Sequence, residues 1–310
     1  AIDCFEKAFA LDSTNVEAAE PLAELYRETE RWSDAARIYE QFASSADALG
    51  TKSAAELFLR QGEAARRLGE LERADKALSR ALQLMPESAD VHRQSAQCKL
   101  DLKQFDEART MFQELLLRFG ADLPSAERTR VHLHLAQALQ GLKDHSGVVG
   151  AANDALKIEP ENREALHLRA AADEELGRWA EVVADLRKLM EGAEDDERFD
   201  LLVRAGDILR EKLSDNEKAA KSYNAALEIH PEHRTLLHKL ITCYQSTEQW
   251  SRVVEAILRI ADLLDDKKML AKYYLTAARV NADKLGRTDE AVTYYDLALD
   301  NDPDVLTVFE

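Results

Sequence analysis

The chain has 310 residues, 45% of them hydrophobic and 6% aromatic, with 11 Gly, 6 Pro and a net charge of −18. Sparse Gly, Pro and aromatics beside abundant Ala, Leu, Glu, Arg and Lys argue against a β-rich fold and for an all-α one. The acidic excess argues against nucleic acid or an anionic membrane surface as the main partner, and no apolar run approaches the roughly 18 residues a membrane span needs.

The predicted elements are helix–turn–helix units. Residues 1–13 read as the second helix of a unit, and full units follow at about 14–47, 53–86, 89–120, 125–160, 162–194, 197–231, 233–265 and 267–303, with the start of another at 304–310. Neither end carries the polar cap a stacked array requires, so the sequence predicts a piece of a longer array that can self-associate through uncapped ends. Each second helix opens on a small residue: Ala1, Ala35, Ala74, Ala108, Val148, Val182, Ala219, Val253 and Ala291. The spacings along that column are 34, 39, 34, 40, 34, 37, 34 and 38, so short and long alternate and the period is a double unit of 71 to 74 residues. A second column, Ala23, Gly62, Ala96, Ala136, Ala170, Gly206, Ile241 and Ala278, marks where each first helix touches its partner most closely. Ile241 is the bulky exception, and some splaying is expected there.

These small-residue columns, the aromatics late in first helices (Tyr26, Tyr244), Tyr or Phe in second helices and the prolines after them resemble the tetratricopeptide repeat family. The unit at Ala55–Ser88 matches best, with Gly62, Leu68, Gly69, Ala74, Ala81 and Pro86. The resemblance covers essentially the whole chain. It implies antiparallel helix pairs stacked into a right-handed solenoid whose first helices line a concave protein-binding groove.

The doubled period adds detail. Pro86, Pro160, Pro231 and Pro303 end every second unit, and these units carry Ala81, Ala155, Ala226 and Ala298 late in the second helix. Intervening units place Phe42, Leu115, Leu189 and Ile260 there, and open the second helix on Trp32, Phe105, Trp179 or Trp250. Tight and wide junctions are therefore expected to alternate, the wide ones with longer linkers. Thr14/Glu17, Ser53/Glu56 and Ser214/Glu217 have capping-box spacing. Pro21 falls early in a first helix, which must start late or kink. The first helices ending near Leu213 and Leu285 each carry one extra residue before the turn.

No catalytic constellation or cofactor motif stands out, and the sequence predicts a non-catalytic protein. Acidic runs such as Glu194–Glu197 read as solvated loops. Cys4, Cys98 and Cys243 form no CxxC pair; Cys98 and Cys243 read as buried core, and unpaired thiols favour a reducing, cytoplasmic compartment. His132 and His134 lie two apart on a helix and diverge, while His230 and His233 flank Pro231 as turn residues. The Trp column and the helical Met85, Met111, Met190 and Met269 read as core filling.

Helical register leaves one polar face, on the first helices. Its candidate groove residues are Glu24, Arg27, Glu28, Arg66, Arg93, Gln97, Arg130, Gln137, Gln140, His167, Glu174 and His238. The face is mildly acidic, with a neutral-to-basic middle around Arg93, Arg130, Gln137 and Gln140. It lacks the Lys/Asn/Arg clamp by which some family members grip a C-terminal carboxylate. The predicted role is a scaffold binding peptide segments of other proteins, basic ones in particular. A structural self-assembling array and a substrate-positioning module of a larger enzyme are the alternatives.

Overall fold

The computed structural model describes residues 2–11, 16–43 and 51–305. They form helices α1 Ile2–Leu11, α2 Val16–Glu28, α3 Trp32–Ala43, α4 Thr51–Arg67, α5 Leu71–Leu84, α6 Ala89–Asp101, α7 Phe105–Phe119, α8 Ser125–Gly141 and α9 His145–Ile158. Next come α10 Arg163–Glu175, α11 Trp179–Met190, α12 Asp195–Glu211, α13 Asn216–Ile229, α14 Arg234–Ser246, α15 Trp250–Ala261, α16 Lys267–Val280 with a π-helical turn Asn281–Leu285, and α17 Thr288–Asn301. No strand occurs among the described residues. The chain divides into two compact units, Ala1–Ala172 and Asp173–Glu310. Within each, helices pack in adjacent pairs as an all-α solenoid.

The small-residue columns are where these helices touch. Ala35, Ala74, Ala108, Val148, Val182, Ala219 and Val253 are all fully buried. In the first-helix column a Cβ on Gly62 would come within 2.5 Å of Leu78, and one on Gly206 within 2.5 Å of Tyr223. Ile241 is half-buried, whereas the other seven members of its column are buried. Both kinds of late second-helix residue are core: Ala81, Ala155, Ala226 and Ala298 are fully buried, and so are Leu115, Leu189 and Ile260.

The doubled period resides in helix length. First helices α2, α6, α10 and α14 have 13 residues; α4, α8 and α12 have 17. The added residues form one turn at the N-terminal end. Seven residues separate the helix start from Ala23, Ala96, Ala170 and Ile241, but eleven from Gly62, Ala136, Gly206 and Ala278. The predicted longer linkers are therefore only a small part of the story. Segments 120–124 and 262–266 have five residues and 191–194 has four, against four in each of 85–88, 159–162 and 230–233. Pro124 precedes the added turn Ser125–Arg128 of α8, but the spacing of the small-residue columns alone does not say whether added residues lie in helix or in loop.

Each hairpin turn contains one residue of left-handed backbone: Glu30, Gly69, Lys103, Lys143, Gly177, Ser214, Glu248 and Gly286, with φ between 54° and 77°. That conformation brings the next N–H back to the helix end, as in Gln104 N to Lys99 O at 2.9 Å and Arg178 N to Asp173 O at 2.8 Å. The two extra residues are absorbed differently. After α12 the loop lengthens to 212–215, and after α16 the helix widens into the π turn. Both turns are then closed by a bond one residue longer, Asp215 N to Leu209 O at 2.8 Å and Arg287 N to Asn281 O at 2.9 Å.

Several local expectations are corrected. Thr14/Glu17 lies outside the described residues. Ser53 is the third residue of α4 rather than its cap. Ser214 occupies the left-handed position, so the cap of α13 passes to Asp215, which accepts from Lys218 N. Side-chain caps come instead from Ser88, Asp144, Asn162, His233 and Asp266. Pro21 sits inside α2, which does not start late. Met85 lies just past α5, and Met269 is exposed rather than core.

Candidate protein-binding face

The candidate residues take the predicted positions on first helices. In the first unit Glu24, Arg27 and Glu28 lie on α2, Arg66 on α4, Arg93 and Gln97 on α6, Arg130, Gln137 and Gln140 on α8, and His167 on α10. In the second, Glu174 ends α10 and His238 lies on α14. Each is half-buried or exposed.

Much of this charge is spent inside the chain. Arg27 bridges Glu24 at 2.5 Å and Glu63 at 3.2 Å, and Arg60 approaches Glu24 at 3.6 Å, so α2 and α4 are laced together. Arg66 reaches Asp101 at 2.9 Å, and Gln97 donates to the same carboxylate at 3.3 Å. Arg93 pairs with Asp90, and Gln137 donates to Glu164 at 2.7 Å. In the second unit Arg204 pairs with Glu174, and Tyr273 Oη lies 3.3 Å from His238 Nε2. Arg130, Gln140 and His167 differ. All three are exposed, and among the described residues their side chains make no hydrogen bond or ion pair. His134, beside this middle region, packs on Phe112 at 5.6 Å between ring centroids. Burial, with Arg66, Arg93 and Arg130 adding to it, pushes its pKa down to about 4.

A recurring triad floors the face. In the second unit Tyr223 Oη donates to Asp207 at 2.7 Å, and Lys239 Nζ donates to both oxygens of that carboxylate at 2.6 and 2.8 Å. Lys239 also lies over the Tyr223 ring, 5.6 Å from its centroid. Burial, then the Asp207 bond, raises the Tyr223 pKa. The register equivalents in the first unit are Tyr39, Glu24 and Arg60. There Tyr39 is buried, but its hydroxyl has no hydrogen-bond partner among the described residues. Burial, and next the nearby Glu24 charge, push its pKa up to about 12. A cavity of about 400 Å³ opens at this place, lined by Glu20, Glu24, Tyr39, Phe42, Glu56, Leu57, Arg60 and Asp90 among others. Tyr39 was legible only as the aromatic expected in a second helix; its missing partner has no sequence signal.

The other candidates resolve into structure. Trp32, Phe105, Trp179 and Trp250 are half-buried first residues of α3, α7, α11 and α15. Three carry a cation from the end of the next long first helix: Arg67 over Trp32 at 5.4 Å, Lys212 over Trp179 at 5.1 Å and Lys284 over Trp250 at 5.0 Å. Phe105 instead lies against Gly141, where a Cβ would come within 2.5 Å of the ring. These rings are junction residues rather than deep core. Cys98 and Cys243 are buried, with burial raising both thiol pKa values, Cys98 to about 11. His230 and His233 pack against Phe199 at 4.6 and 5.4 Å, and His233 caps α14. Among the described residues no His/Cys/Asp/Glu group could hold a metal, and no helix is long and apolar enough to cross a membrane.

Helical hairpins joined by left-handed turns and stacked through small-residue columns define an α-helical repeat protein. Comparison with known families fixes which kind: tetratricopeptide repeat models match residues 21–53, 65–130, 199–233 and 271–305, together more than half of the sequence. The chain belongs to the tetratricopeptide repeat family, and is a protein–protein interaction scaffold. Among solved structures, a double mutant of MamA from RS-1 is 17% identical over 56% of this chain and 92% of its own, with a TM-score of 0.50. YrrB, described as a TPR protein with an unusual peptide-binding site, is 18% identical over 77% of this chain and 98% of its own, with a TM-score of 0.44. The C-terminal part of a TPR repeat-containing protein from Cytophaga hutchinsonii is 11% identical over 81% and 99%, with a TM-score of 0.47. The likeness to MamA is one of fold. No curated protein matches the chain.

Proposed function

We propose that this chain is a non-catalytic scaffold that holds extended segments of partner proteins on the face of its first helices. The observation that carries the reading is the contrast along that face. Neighbouring charges are tied up in ion pairs between first helices, while Arg130, Gln140 and His167 stand exposed without a bond to any other described residue. Exposed polar groups without an intrachain bond pair with a partner without first giving one up. Glu28 and Glu175, both exposed, favour basic segments, and Glu24 and Glu174 add to the acidic charge although each is paired with arginine. A photo-reactive residue at Gln97 or Gln140 should capture partner peptides from native lysate, whereas one at Ser79 or Glu114, on exposed second-helix positions, should not. Links only between copies of the chain would replace this reading by self-assembly. Charge reversal at the four glutamates should slow association at low salt, with a smaller effect at high salt. Unchanged association rates would count against basic partners.

A further inference from the structure

We propose that the cavity beside Tyr39 is a socket for the lysine or arginine side chain of an extended partner segment. This rests on the scaffold reading and gives it a chemical specificity. Four carboxylates, Glu20, Glu24, Glu56 and Asp90, and a single guanidinium, Arg60, line the space. That balance favours a cation and opposes an acidic side chain. Asp90 and Glu24 already have arginine partners in Arg93 and Arg27. Glu20 is exposed with no intrachain partner among the described residues, and Glu56 is held only loosely by Lys52 at 3.9 Å. Phe42 and Leu57 supply apolar wall for the methylene stem that both basic side chains carry. The volume, about 400 Å³, has room for more than one side chain, so backbone flanking the anchor can enter as well.

The chain itself shows what this constellation takes. At the equivalent place in the second unit the chain's own Lys239 lies on the Tyr223 ring, and its ammonium donates to Asp207, the carboxylate that also accepts the Tyr223 hydroxyl. There every polar group is met from within. In the first unit the cation in that register, Arg60, is shared between Glu24 at 3.6 Å and Glu63 at 3.4 Å, and the tyrosine hydroxyl has no partner among the described residues. A buried hydroxyl left without a partner is costly, and a group that satisfies it recovers that cost on binding. A lysine or arginine N–H arriving from outside would donate to Tyr39 Oη and to Glu20 or Glu56 together. Like Lys239, it would bring a cation to a carboxylate beside the tyrosine ring, here with a bond to the hydroxyl that Lys239 does not make.

The test is selection from a phage-displayed library of random dodecapeptides on the whole chain, followed by anisotropy titration of the selected peptides at low salt. Selected peptides should contain a lysine or arginine whose replacement by norleucine weakens binding at least tenfold. On a Tyr39→Phe, Glu20→Gln protein the parent peptide should bind at least fivefold more weakly, and the norleucine peptide should lose nothing further. Tyr39→Phe and Glu20→Gln add no bulk, and an unchanged circular-dichroism melt confirms that the fold persists. Peptides without a basic residue, or a basic residue whose contribution is equal on both proteins, would overturn the socket. Peptides that ignore the double variant but are lost on Arg130→Glu would overturn it while leaving the scaffold face standing. A library that yields no binder counts against both.

Discussion

Gly206→Ala tests whether the small-residue column is a steric requirement. A Cβ built on Gly206 lies 2.5 Å from Tyr223 Cε1, 2.8 Å from Cδ1 and 3.0 Å from Cζ. Carbon atoms rest at about 3.5–4.0 Å, so the ring must retreat by about 1 Å. It has little freedom to do so, being fully buried with its hydroxyl held 2.7 Å from Asp207. Overpacking of this kind costs about 1–3 kcal/mol, and a stretched Tyr–Asp bond adds about 1 kcal/mol. Against this, alanine is the better helix former by about 1 kcal/mol. The net expectation is a loss of about 1–3 kcal/mol. Because repeat arrays open piecewise, the measurement is amide exchange in α12 and α13, where protection should fall roughly tenfold. Added to Tyr223→Ala, which empties the space, Gly206→Ala should be neutral or stabilising, a coupling of at least about 1 kcal/mol. If Gly206→Ala alone raises protection by the propensity difference, the ring yields freely and the steric argument fails.

Three further outcomes follow from the turns and the buried polar groups. Lys103→Gly and Lys143→Gly, both at φ 59°, should each stabilise the chain by up to about 1 kcal/mol in urea titration, since glycine enters the left-handed region freely; a loss at both would show that the lysine side chains matter more than their backbone. Tyr39→Phe should leave stability unchanged or raise it, whereas Tyr223→Phe should cost about 1 kcal/mol by leaving Asp207 one donor short. Equal effects would refute the contrast between the two triads. His134 is held well below the ordinary histidine value, at about 4. Its contribution is therefore complete above about pH 6.5, where the unfolded chain also keeps it neutral, and is lost as the pH falls through 6.5 towards 4. A decline of up to about 3 kcal/mol over that window should flatten in His134→Leu, and an unchanged slope would refute the assignment.

The fold was legible because two helices meeting closely tolerate only small side chains, and that steric rule leaves Ala and Gly in register at Ala23, Gly62, Ala96 and onwards. Alternation was equally visible as spacing, yet its physical carrier was not. One polar helical turn such as Asp195–Arg198 looks like loop until its backbone is seen. Capping followed the same pattern: the residue inserted before α13 moved the left-handed position onto Ser214 and the cap onto Asp215. On the candidate face, register assigned Arg130, Gln140 and His167 to first helices, where they lie exposed. It could not foresee that Arg27 or Arg66 would be claimed by Glu63 or Asp101, because those pairs join residues 36 and 35 positions apart through side-chain geometry. Tyr39 is the clearest omission. Its proposed role rests on a hydroxyl with no hydrogen-bond partner among the described residues, and a residue string records no such absence.

The aromatic that opens the second helix of every other hairpin rests on the far end of the following long helix, Trp179 on Lys212 and Trp250 on Lys284. Removing a single hairpin would set two short first helices side by side, or two long ones, and leave one such ring without its counterpart. Removing two restores the pattern. Arrays of this design are expected to lengthen and shorten in doublets, a step twice the size of one hairpin.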